Sequence, residues 1–111
     1  MSFSIDVRRD DKDRILAELQ RKQLSFVTKG GQVIRAESSV RAPVDTGNLR
    51  RSIISEPFNL DGEIYSDTGP TAEYAQKVEF GSSRQRAQPY MEPGFQAAKP
   101  KIDILERELK L

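Results

Sequence analysis

The 111 residues include no cysteine, no histidine and no tryptophan. Without cysteine there is no disulfide framework, no thiolate nucleophile and no thiolate zinc site. Without histidine the chain lacks the commonest general base near neutral pH. No apolar run approaches the roughly 20 residues that span a bilayer as a helix, and the first residues lack a signal-peptide core. A soluble chain made in the cytoplasm is therefore expected. An excess of one charge is missing too. Lys and Arg number 18 against 17 Asp and Glu, whereas dedicated nucleic-acid-binding domains carry a marked basic surplus. With 36% apolar and 32% charged residues, the chain reads as one domain, residues 1–111, with a thin core under a wet surface.

What is present organises around Ala42-Pro43-Val44-Asp45-Thr46-Gly47-Asn48-Leu49-Arg50-Arg51-Ser52-Ile53. Pro43 has no N–H to give a helix and pushes Ala42 out of the α region, so the preceding helix ends there. Asp45 can turn its carboxylate onto nearby backbone N–H groups, and Gly47 can take a positive φ. Pro43, Asp45, Thr46 and Gly47 thus form a structural corner, from which the chain is expected to leave as a strand at Leu49.

Before the corner, Phe3, Ile5 and Val7 alternate with polar residues and suggest a short N-terminal strand. Ile15, Leu16, Leu19, Phe26, Val33 and Val40 then recur at helical spacing, predicting a long helix over about 11–41. Gly30-Gly31 interrupts it; the pair marks either a loop between two helices or the close approach of another backbone. After the corner, a hairpin is predicted over about 49–67, turning around Asn59-Leu60-Asp61-Gly62. Pro57 should confine its strand to an edge or a bulge. Residues 73–81 suit a short helix ending at Gly81, with an irregular strand as the competing reading. Residues 82–88 read as an exposed mobile loop. Met91, Phe95, Ala98, Ile102, Leu105 and Leu109 outline a C-terminal helix over about 91–110. Pro93 fits its first turn, and Pro100 predicts a kink. The fold class is α+β: a long N-terminal and a C-terminal helix packed on a small, mostly antiparallel sheet.

Candidate chemistry is sparse. Asp61, Glu63 and Asp67 do not have the spacing of a calcium loop. Glu79, between Val78 and Phe80, is a carboxylate whose burial would raise its pKa, but no partner for hydrolysis is spaced with it. No catalytic residue, metal ligand, cofactor or small-molecule substrate is expected. Charge is distributed in blocks: +3 over residues 29–51, −5 over 56–79 and +3 over 80–101. These blocks can pair within one chain or between copies, where opposed charges set register and head-to-tail contacts close into rings.

Three segments in order carry a resemblance: Ala42 to Gly47 with Leu49-Arg50 and Ser52-Ile53; Tyr74-Ala75 with Val78-Glu79-Phe80-Gly81; and Gln88-Pro89-Tyr90-Met91-Glu92-Pro93. Together they resemble the small neck, or tail-completion, proteins of long-tailed bacteriophages and prophages, over about residues 10–110. Tyr90 stands where that family usually has Phe, and Gly94 where it usually has Ala. The resemblance implies a non-enzymatic virion protein of the head–tail connection, forming a ring with itself, commonly six-fold. Its implied partners are a head-connector or head-closure protein and a tail-tube or tail-terminator protein, with DNA passing through the lumen. It implies no cofactor and no membrane. Leu49, Ile53, Tyr74, Val78 and Phe80 are expected in the core, with Pro89, Tyr90 and Pro93 aiming the last helix. Ser82, Ser83, Arg84, Gln85, Arg86 and Gln88 are the expected contact arm. The alternative is a small nucleic-acid-binding module using Arg41, Arg50, Arg51, Arg84 and Arg86.

Overall fold

A computed structural model describes residues 9–43 and 47–110. The expected N-terminal strand, and Asp45 and Thr46 of the corner, lie outside the described residues. The order of elements is α1 (Arg9–Arg41), α2 (Asn48–Ser52), β1 (Ile53–Leu60), β2 (Glu63–Pro70), α3 (Ala75–Phe80) and α4 (Met91–Leu109). The class is α+β, two long helices and a two-stranded antiparallel sheet.

The spine is α1, which passes through Gly30-Gly31 without a break. A Cβ on Gly31 would collide with the Ser55 and Ser66 hydroxyls, so the hairpin lies directly on the helix at this point. The close neighbour is a set of side chains rather than another backbone. Ser55, Ser66 and Thr68 bond one another there, with Thr68 Oγ1 at 2.9 Å from Ser55 Oγ and 2.7 Å from Ser66 Oγ. A sheet face made of short hydroxyls lets the helix settle close without leaving polar atoms unpaired.

On its other side α1 packs against α4. Gly94 meets Ser38 and Gly30 meets Ile102, so the two helices run antiparallel. Ala at Gly94 would put its Cβ 2.6 Å from Ser38 Cα. The departure at Gly94 therefore makes room for helix-to-helix contact rather than loosening the last helix. Pro100 lies inside α4, and beyond it Ile102, Leu105 and Leu109 remain half-buried. Continuing the antiparallel register brings Leu109 level with about residue 23 of α1. The helix before that point has no α4 beside it, and residues 12–24 are all exposed.

The strand expected at Leu49 starts four residues later. Gly47 has φ +75°, and the Arg51 N–H bonds Gly47 O at 3.1 Å, winding 48–52 into one helical turn. That turn drives Leu49 into the core as a helical residue. β1 and β2 then pair from Ile53–Pro70 to Leu60–Glu63 around a two-residue turn, with Asp61 at φ +51° and Gly62 at φ +82°. Two positive φ values are those of a type I′ turn, whose twist suits a hairpin. The sheet extends to Pro70, past the expected end at Asp67. Pro57 pairs with Ser66 in a sheet where each strand has one open edge. Counting from the turn, it occupies a position whose N–H would point outward, so no ladder bond is lost.

The core gathers where the C-terminal end of α1, α2, the hairpin root, α3 and the start of α4 converge. It consists of Ala42, Leu49, Ile53, Ala75 and Tyr90, with Ala72, Val78 and Met91 packed against it. Two expected members differ. Tyr74 and Phe80 are 43% and 77% exposed, because α3 is a short helix that turns only Ala75 fully inward.

Candidate functional site

The second and third resemblance segments meet at one carboxylate. Glu79, on α3, accepts from the backbone N–H of Tyr90 (2.7 Å), Met91 (3.0 Å) and Glu92 (3.1 Å). These are the donors that the start of a helix leaves without intrahelical partners. Pro93 has no N–H, and Gly94 makes the first helical bond, to Tyr90 O at 3.0 Å. Every donor of the first turn of α4 is thus satisfied, although Tyr90 has no side-chain cap of its own. A negative charge there also complements the helix dipole. In the sequence Glu79 stands as an acid without a spaced partner. The signals that point to a cap are Pro93 in the first turn and no Ser, Thr, Asp or Asn before it.

Tyr90 itself is fully buried, its phenol reaching toward Ala75 O at 3.5 Å. Burial, then the Glu79 charge and Tyr74, push its pKa up to about 12. It plugs the joint between α3 and α4.

The first segment has a matching role at the C-terminal end of α1. Arg50 Nε donates to Ala42 O at 3.2 Å and Arg50 Nη2 to Val40 O at 3.3 Å, covering carbonyls that the end of α1 leaves open. Arg35 Nε donates to Ile53 O at 2.8 Å and holds the root of β1. Arg41 bonds Glu37 at 2.7 Å, and Lys101 of α4 bonds the same carboxylate. The Lys101 and Arg41 bonds hold the Glu37 pKa below the usual carboxylate range. Arg51 donates to Asn48 Oδ1 at 2.6 Å. Three of the five arginines in the nucleic-acid alternative, Arg41, Arg50 and Arg51, are therefore engaged within the chain.

The remaining two, Arg84 and Arg86, lie on the expected contact arm. Residues 82–89, Pro89 included, are exposed. The arm is a folded turn: Ser82 N–H bonds Gln85 O at 3.0 Å, and Gln88 N–H returns to Val78 O at 2.7 Å. Ser82 Oγ accepts from Arg84 N–H at 3.2 Å. Ser83 and Gln85 are exposed beside it, and Pro93 is exposed on the first turn of α4.

A groove of about 1030 Å³ lies between the middle of α1, β2, α3 and the start of α4. Ile34, Pro70, Ala72, Phe80, Met91 and Phe95 give it an apolar lining. Glu73, Glu79 and Glu92 supply its charge, and no Lys or Arg lines it. On the outer hairpin face, Phe58 and Tyr65 stack at 5.4 Å between centroids, with Ile54 and Leu60 also exposed. Among the described residues no group of three or more acids is placed to hold a metal ion. Among those residues, too, no helix is long and apolar enough to cross a membrane. Among the described residues the chain offers surface: an apolar groove with acidic groups, an aromatic hairpin face and an exposed N-terminal stretch of α1.

Compared with known proteins, residues 8–81 match the family HK97-gp10_like, described as "Bacteriophage HK97-gp10, putative tail-component". No curated protein and no solved structure gives a significant match. The matched stretch covers α1, the corner, the hairpin and α3 with its capping Glu79, the elements that build most of the core and of the groove. This chain belongs to the HK97-gp10-like family of bacteriophage proteins.

Proposed function

We propose that the chain is a structural protein of the phage virion, acting without catalysis in the head–tail connection. Copies of it assemble as a ring, six-fold in the arrangement the resemblance implies, between the capsid connector and the tail tube, with DNA passing through the lumen. Family membership supports the virion assignment. The observation that carries assembly is surface area. The chain exposes 8666 Å², roughly 2,500 Å² more than the about 6,200 Å² usual for a monomer of this mass. A subunit in a ring presents two faces, and standard interfaces bury about 800 Å² on each partner. The excess is larger than the about 1,600 Å² that two such faces would cover.

Deleting the gene from the phage tests the reading: separate full heads and finished tails are expected, and joined infectious particles would refute it. Light scattering of the purified chain should give a multiple of 12.6 kDa. Replacing Arg84 and Arg86 with Glu should block joining and leave the fold intact if the arm meets the next component. In the nucleic-acid alternative those substitutions abolish DNA binding that falls steeply with salt.

A further inference from the structure

We propose that the groove between α1, β2, α3 and α4 receives the N-terminal part of α1 from a second copy of the chain. The contact rests on the ring-forming reading and specifies how one subunit holds the next. The inserted face is Lys12, Ile15, Leu16, Leu19 and Lys22, which the 3.6-residue period places on one side of the helix. Ile15, Leu16 and Leu19 are 52%, 55% and 43% exposed, and α4 ends before it reaches them. Amphipathic helices bind apolar grooves through residues at this spacing.

Three observations select this occupant. The charges are complementary: two lysines flank the apolar centre of the helix face, while Glu73 and Glu92 line a groove that has no Lys or Arg. The shapes are complementary, a projecting helix end against an apolar concavity. The segment cannot fill the groove of its own chain. Ile34 in the groove lining and Leu19 lie on the same unbroken helix, 15 residues or about 22 Å apart. The two surfaces are also different patches, so the contact is head-to-tail, the type that closes into rings or extends into filaments.

The lack of cysteine makes the test specific. Leu19→Cys and Phe80→Cys variants are prepared separately, mixed, and oxidised under mild conditions. Both side chains are exposed, so neither change touches the core. A disulfide-linked dimer is expected in the mixture and not in either variant alone. Links of Leu19→Cys to itself or of Phe80→Cys to itself, without the mixed product, would overturn the proposal in favour of a two-fold contact. In parallel, a Lys12→Glu/Lys22→Glu variant should shift by light scattering from the multimer to 12.6 kDa. Mixing it with a Glu73→Lys/Glu92→Lys variant should restore the larger mass, and circular dichroism would verify that both variants are folded. If the unaltered chain is a multimer, the mixed disulfide is absent and the charge reversals change nothing, the groove contact is wrong while ring formation stands. An unaltered chain that stays at 12.6 kDa at every concentration removes both.

Discussion

At the scale of single residues, the polar side chains with the clearest positions close the ends of helices. Glu79 takes three N–H groups at the start of α4, and Arg50 takes two carbonyls at the end of α1. Glu79→Ala is expected to lower stability by about 2 kcal/mol, the upper end for a lost cap, since three donors lose one acceptor. Glu79→Gln should recover part of that loss; urea unfolding of both variants measures it. Tyr90 leads to a pH prediction. Its phenol ionises near 10.0 when free and at about 12 in the folded chain. Folding therefore disfavours the charged form, so this contribution is fully present below pH 10 and is lost as pH rises through about 12. Tyr90→Phe should change neutral-pH stability by less than about 1 kcal/mol, because the hydrogen bond it removes is long. It should also flatten the alkaline limb of the Tm-against-pH curve.

At the scale of elements, adjacent glycines in α1 serve different ends. A Cβ on Gly30 meets nothing nearer than Ile102 Cγ1 at 3.9 Å, whereas one on Gly31 collides with the hydroxyls of the hairpin. Gly30→Ala is expected to stabilise by up to about 1 kcal/mol through helix propensity. Gly31→Ala should destabilise by about 1–3 kcal/mol through overpacking. Thermal unfolding of the two single variants checks the opposite signs. The helices and the hairpin were legible in the sequence because their signals are local: a 3.6-residue apolar period in 11–41 and 91–110, and Asp61-Gly62 between extended runs. The strand start was not legible at Leu49, since Asn48–Ser52 favours neither state strongly. The turn closed on Gly47 and the buried place waiting for Leu49 decided it.

At the scale of the whole molecule, the chain is long and thin. Its extents are 77 × 25 × 21 Å and its radius of gyration is 19.5 Å, against about 13 Å for a compact chain of this length. The fully buried apolar residues described are Ala42, Leu49, Ile53, Ala75, Tyr90 and Ala98, three of them alanine. With so small a core, association in the proposed ring would add to the stability of the folded chain. The Tm of the purified chain should therefore rise with protein concentration, as mass action requires when only the folded form associates. A Tm that is constant over two decades of concentration contradicts this. The candidate surface was only partly visible in the sequence. Arg84 and Arg86 stood out as charges in a run without large apolar residues. The groove combines Ile34, Pro70, Phe80 and Phe95, which no local pattern links.

By itself the sequence determined the α+β class, the two long helices, the Asp-Gly hairpin and two motifs that fall within the match to a phage family, because each depends on neighbours along the chain. Only the tertiary structure decided that Glu79 is a cap, that Gly94 is a contact with Ser38, and that Phe80 faces outward while Tyr90 faces in. Those roles depend on which groups from distant elements arrive beside a residue. A free N–H, a passing backbone or an open groove has no trace in the residues immediately before and after it.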